Sequence, residues 1–188
     1  MKVDLSCQEL RIQLKKLEAE NEALRKEVEY LKMHPAIASG LKGETLIVKM
    51  VDGSVTKYAE EYDIKLENGT KIEVKYSSLH TPNVNYPNTK RWSWSKPLGW
   101  KDKGKDYDYL LLVGEKDNRY SDLYLGDAPY VFFVIPIDRI SEIVVKGKSI
   151  GANVNLTTKL STGWSGPKKV IIEHMVDPEL IAALERSL

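Results

Sequence analysis

Residues 63–75 read Asp-Ile-Lys-Leu-Glu-Asn-Gly-Thr-Lys-Ile-Glu-Val-Lys, and few local structures suit that order. Tyr62, Ile64 and Leu66 alternate with charged residues, and so do Ile72, Val74 and Tyr76. A period of two belongs to a strand with one buried face. Between the two halves, Glu67-Asn68-Gly69-Thr70 carries the Asn-Gly dipeptide that tight hairpin turns favour. The spacing predicts a strand over residues 55–66, a turn, and a return strand over residues 71–76. Asp63 and Lys65 then point away from the apolar side of the first strand. Glu73 and Lys75 do the same on the second. Asp63, Glu73 and Lys75 are thus expected together on one face of a hairpin.

That grouping has a chemical meaning. Two adjacent carboxylates repel and are costly unless a cation joins them. Hard divalent ions such as Mg²⁺ suit such a pair, completed by a backbone carbonyl, water and a phosphate. A nearby lysine can orient or deprotonate a metal-bound water and add positive charge at the transition state. The competing reading is a solvated hairpin, because alternating charges such as Glu73 and Lys75 are common on exposed strands.

Asp63 followed by Glu73-Val74-Lys75 at the end of a hairpin resembles the PD-(D/E)XK nuclease superfamily, to which many restriction endonucleases belong. Gly40-Leu41-Lys42-Gly43-Glu44 resembles the first helix of that family, whose glutamate often completes the metal site. The resemblance is close over residues 39–78 and looser to about residue 140. It implies that Asp63, Glu73 and the Val74 carbonyl ligate Mg²⁺, with Mn²⁺ as a substitute. It also implies that Lys75 serves the attacking water and that Glu44 supports a first or second metal. Tyr62 stands where the family often has a proline. The implied fold is α/β (α+β): a restriction-endonuclease-like mixed central sheet flanked by helices. The four acid and lysine positions are all filled, which counts against an inactive relative.

A second pattern occupies the N-terminus. Leu10, Leu17, Leu24 and Leu31 recur every seven residues, and Cys7, Leu14, Asn21 and Val28 form a second sevenfold series. Residues 5–33 contain no Gly or Pro, and Pro35 is expected to stop the helix. With the leucines at d and the second series at a, Asn21 falls where a buried amide favours a parallel, in-register dimer. Glu20 and Glu27 at g face Arg25 and Lys32 at e with opposite charge. The alternative is an amphipathic helix packed on its own domain. A basic-zipper factor is not expected, since the six residues before the first a position hold one lysine. The expected organisation is a parallel dimeric coiled coil over residues 1–34 and a nuclease domain over residues 35–188. A higher oligomer stays open.

The remaining chain divides into candidate contacts and scaffold. Residues 77–105 are polar, aromatic and nearly free of acid, which conceals a local basic patch within a net charge of only +1. Asn83, Asn85, Asn88, Lys90, Arg91 and Trp94 are its candidate DNA contacts, Lys90 and Arg91 ahead of the tryptophan, because Trp92 and Trp94 suit a core better. Residues 155–169 form a second polar loop, with Lys168 and Lys169 as candidates and a plain surface loop as the alternative. Residues 107–114 and 130–136 read as strands buried on both faces. Residues 138–143 suit a short helix. Asp177 and Pro178 suit an N-cap and first helical position, opening a terminal helix to residue 188. His34, His80 and His174 lack ligand spacing, and one cysteine permits no internal disulfide. No signal-like apolar run follows the N-terminus, so an intracellular, cytoplasmic protein without a membrane partner is expected.

Taken together these features lead to one expectation, a homodimeric, Mg²⁺-dependent, site-specific endonuclease of double-stranded DNA. Restriction enzyme is the first role, with homing or phage endonuclease and junction resolvase as enzymatic alternatives. A non-catalytic coiled-coil DNA-binding or assembly module is the alternative of another class.

Overall fold

The computed structural model describes residues 7–33, 35–51, 53–56, 61–99, 104–145, 151–161 and 163–184. His34, residues 100–103 of the expected basic stretch and the last turn of the terminal helix lie outside them. The chain divides into two compact units, Met1–Ala38 and Ser39–Leu188. It is a mixed α and β protein.

In the first unit, helix α1 runs over Cys7–Met33. At 1.5 Å per residue it is about 40 Å long. Leu10, Leu14, Leu17, Leu24 and Val28 are all exposed on it. Lys16–Glu20 and Lys26–Glu22 form i,i+4 pairs on its surface. Pro35 does more than stop a helix, because it is the first residue of α2 (Pro35–Val48). A proline lacks only an N–H that the first turn leaves unpaired anyway.

The second unit is built on a six-stranded sheet. Its strands are β1 (Gly53–Val55), β2 (Ile64–Leu66), β3 (Lys71–Ser77), β5 (Tyr109–Glu115), β6 (Tyr130–Pro136) and β8 (Met175–Val176), lying in that order. All neighbours are antiparallel except β3 and β5, which run parallel. The single strand expected over residues 55–66 is therefore two strands, β1 folding back on β2. The expected hairpin is β2–β3, with Ile64 opposite Ile72 and Lys65 opposite Lys71. Its turn is closed by Gly69 N–H to the Leu66 carbonyl and by Thr70 N–H to the Asn68 side chain. Gly69 has φ +91°, which a side-chain-bearing residue rarely adopts.

Two apolar clusters cover the two faces of this sheet. Alternate residues of β5 and β6 supply each of them, as expected for central strands. On one face Ile64, Leu66, Ile72, Val74, Leu111 and Val113 meet Ile47 and Val51 at the end of α2, with Ile181 and Leu184. Ile181 belongs to α5 (Pro178–Ala182), whose N-cap is Asp177 as expected. On the other face lies a two-stranded ribbon, β4 (Arg91–Ser95) paired with β7 (Asn153–Thr157). The expected loops over residues 77–105 and 155–169 are thus partly strands. Alternation explains why: Trp92, Trp94, Val154 and Leu156 face inward, while their neighbours stay partly exposed. α3 (Ile140–Ile143) and α4 (Pro167–Glu173) complete this layer. Among the described residues no helix is long and apolar enough to cross a membrane.

One buried polar knot ties the loop after β3 to this framework. Asp117 accepts two bonds from the Arg119 guanidinium, at 2.8 and 2.6 Å, and one from Thr158 Oγ1 at 2.7 Å. Arg119 also donates to the Asn88 carbonyl at 2.8 Å. The guanidinium holds the Asp117 carboxyl down at about 2. Asp117→Asn should therefore lower stability by about 1–3 kcal/mol in urea melts at neutral pH. A carboxylate depressed in the folded state stabilises above its unfolded value near 4 and loses that contribution as the pH falls towards 2. The gap between wild type and variant should close over that interval.

Candidate active site at the end of the hairpin

The site begins where β2 and β3 part. Ile72 and Val74 direct their backbone groups towards β2, and Ile72 O still accepts from Asp63 N–H at 3.0 Å. One step further, β2 has no backbone to offer. The Val74 N–H donates instead to the Asp63 carboxylate, Oδ2, at 2.8 Å. The Asp63 side chain so replaces a rung of the ladder, and that fixes its direction. The Val74 carbonyl, on the same edge, is left to accept from Lys75 Nζ at 3.3 Å.

Glu73 and Lys75 pair in register with Leu110 and Leu112 of β5, so both rise on the ribbon face. Glu73 is 0% exposed. A buried carboxylate is costly without compensation, and two ammonium groups supply it. Lys75 Nζ donates to Glu73 Oε1. Lys105 Nζ donates to both oxygens, at 2.6 and 2.7 Å. Lys75 Nζ also lies 4.0 Å from Asp63 Oδ2. One cation is thus surrounded by the Glu73 carboxylate, the Val74 carbonyl and the Asp63 carboxylate.

Glu44 reaches the same region from α2. Gly43 allows this, since a Cβ there would lie 2.8 Å from Tyr76 Cβ and 3.4 Å from Val74 Cγ1. Only a glycine lets the helix backbone approach β3 so closely. Glu44 is half-buried, and its carboxyl is pushed up first by burial and then by the field of Asp63. Lys75 and Lys105 oppose that shift. Glu73 is likewise pushed up by burial, with Lys75 the largest opposing influence. The Tyr107 hydroxyl is held in its neutral form by burial and by the Glu73 field.

The structure brings Glu44, Asp63, Glu73, the Val74 carbonyl and Lys75 into one neighbourhood, of which the hairpin phase accounts for Asp63, Glu73 and Lys75. Among the described residues no three His, Cys, Asp or Glu side chains are arranged to hold a metal ion in this conformation. Lysine ammonium groups occupy the carboxylate of Glu73 instead. Lys105 itself was not singled out by the motif. It stands in a stretch rich in lysine, so nothing local in the sequence separates it from its neighbours.

The candidate contact residues fall into two groups. Asn83, Asn85 and Asn88 are exposed on the loop between β3 and β4, which Asx-type and turn hydrogen bonds pre-shape. Lys90 donates to Thr81 Oγ1 at 2.5 Å, and Arg91 Nε donates to His80 Nε2 at 2.9 Å. Burial and the adjacent Arg91 both lower His80, which keeps that nitrogen free to accept. Lys168 and Lys169 are exposed on α4, Lys168 over the Trp164 ring at 4.6 Å and Lys169 beside Glu173 at 3.5 Å. Trp94 is corrected. It is 1% exposed, packs on Phe133 and donates its indole N–H to the Val113 carbonyl at 2.9 Å, so it belongs to the core.

No protein-family model matches the chain, and no curated protein matches it.

Because either lysine alone can still neutralise Glu73, Lys75→Met and Lys105→Met should each cost little stability. The double variant leaves a buried carboxylate without a cation and should lose about 3–5 kcal/mol. A double-mutant cycle by denaturant melting checks that non-additivity.

Proposed function

We propose that this protein is a metal-dependent endonuclease that hydrolyses phosphodiester bonds of double-stranded DNA at specific sites, as a homodimer of the restriction-enzyme kind. The observation that carries the reading is the convergence of three oxygen ligands, from Glu73, Val74 and Asp63, on one cation. That cation is the Lys75 ammonium. The donor set is hard and anionic, which suits Mg²⁺ or Mn²⁺ better than a softer metal. Asp63, Glu73 and the Val74 carbonyl would hold the ion, and Glu44 would support it or a second one. A bound ion of this type lowers the pKa of a ligated water and offsets charge building on the phosphate.

The chain's own residues supply the rest. Lys75, displaced from the ligand cage, stays within reach to orient the attacking water and to stabilise negative charge. Lys90 and Arg91 neutralise backbone phosphates, and Asn83, Asn85 and Asn88 present amides suited to base edges. Lys168 and Lys169 add a second cationic surface. The exposed heptad seam of α1, with Asn21 at an a position, supports a parallel coiled coil. Two sites related by a twofold axis would then cut both strands of a palindromic target.

A second reading draws on the same residues. Two ammonium groups already neutralise Glu73, as in a structural ion cluster of a non-catalytic DNA-binding or assembly module. Plasmid DNA with Mg²⁺ separates the two. Wild type should yield discrete linear fragments, while Asp63→Ala and Lys75→Ala should lose at least about a hundredfold in rate. Equal behaviour of all three proteins would favour the structural cluster.

A further inference from the structure

The residue that reaches both oxygens of Glu73 lies outside the motif. Lys105 straddles the carboxylate, 2.6 Å from one oxygen and 2.7 Å from the other. Among the described residues Glu73 is its sole ion-pair partner, whereas Lys75 also touches the Val74 carbonyl and faces Asp63. The two lysines also differ in their backbone. Lys75 sits within β3, paired in register with β5. Lys105 follows Gly104 in irregular chain ahead of β5. Both side chains are similarly exposed, 23% for Lys105 and 22% for Lys75, so the backbone and the partners are what separate them.

A divalent cation cannot simply be added to this arrangement. The carboxylate of Glu73 already accepts three N–H bonds from two ammonium groups. An incoming metal needs a lone pair of that carboxylate and is repelled by each ammonium close by. Lys75 has to yield the position between Asp63, Glu73 and the Val74 carbonyl, and the repulsion that remains falls on Lys105. Lys105 has the fewest contacts to give up and the less constrained backbone. What it leaves with is a full positive charge, and a phosphodiester oxygen is the natural acceptor for it.

We propose that Lys105 is an exchangeable counter-ion, which holds Glu73 while no metal is bound and passes to a DNA phosphate when a divalent cation enters the cage that Lys75 Nζ now fills. This rests on the nuclease reading and adds a rule for how the site is loaded. Metal and DNA then promote each other's binding, and linkage makes the factor the same in both directions. It also means that the free protein holds its metal weakly although its carboxylates are in position.

The test is calorimetric titration of the full chain with Ca²⁺, alone and with saturating duplex DNA. For the wild type, DNA should tighten Ca²⁺ binding by about fivefold or more. Lys105→Met should bind Ca²⁺ about five- to twentyfold tighter than wild type without DNA, and should lose most of the gain from DNA. Lys105→Arg keeps the charge and should behave as wild type in the absence of DNA. Should Lys105→Met fail to fold, Lys105→Gln is neutral, retains a donor for Glu73, and carries the same expectation. Unchanged or weaker Ca²⁺ binding by the neutral variant overturns the exchange and leaves the nuclease reading standing. If Asp63→Asn does not abolish wild-type Ca²⁺ binding, the metal site is elsewhere, and both the nuclease reading and the exchange fail.

Discussion

The burial of the Glu73 carboxylate is the constraint around which the second unit is arranged. A fully buried charge demands cations, which two stretches of chain supply, while two more bring further acids to the same place. β3 brings Lys75 from two residues away, and the chain entering β5 brings Lys105. β2 ends in time for the Asp63 side chain to take over the Val74 N–H. α2 lies close enough for Glu44 to be felt only because Gly43 has no side chain. Two of these contributions come from the ends of regular elements, where the ladder stops and backbone groups need other partners. The candidate site is therefore a place where secondary structure ends by design of its side chains.

The sheet beneath makes that burial affordable. β5 and β6 are apolar on both faces, and each face is covered by a separate layer. On the ribbon side, Trp92 and Trp94 form a tight aromatic group with Tyr124 and Phe133, ring centroids 5.8–6.0 Å apart where they meet. Both indole N–H groups are satisfied by carbonyls of β5. Glu73 itself is fully buried, which strengthens the charge interactions it makes. The loop over residues 81–89 projects from the same ribbon and is moored to Asp117 through Arg119. The exposed asparagine loop and the Glu73 cluster are thus fastened to one core.

Much of this could be read from the chain, and the reason is periodicity. The alternation around Ile64, Leu66, Ile72 and Val74 put Asp63, Glu73 and Lys75 on one face because a strand leaves no other choice. The apolar runs of β5 and β6 and the Asp177 cap were equally direct. Less was legible where the decisive partner is distant. Trp94 suited a core more than DNA, but what buries it, the pairing of β4 with β7, is a partner distant in sequence. Lys105 looked like one lysine among several, and its distinction is a contact across 32 residues of sequence. The break between β1 and β2 was hidden because both halves carry the same strand-like composition.

The claim on which the rest depends is that Asp63, Glu73 and the Val74 carbonyl form a cation site in which Lys75 stands in for a metal. Anomalous diffraction from crystals of the protein with Mn²⁺ and duplex DNA tests it most directly. The account predicts a strong peak about 2.1 Å from oxygens of Asp63, Glu73 and Val74, with Lys105 withdrawn from Glu73. A fully occupied DNA complex with no peak there, and both lysines still on Glu73, would contradict it.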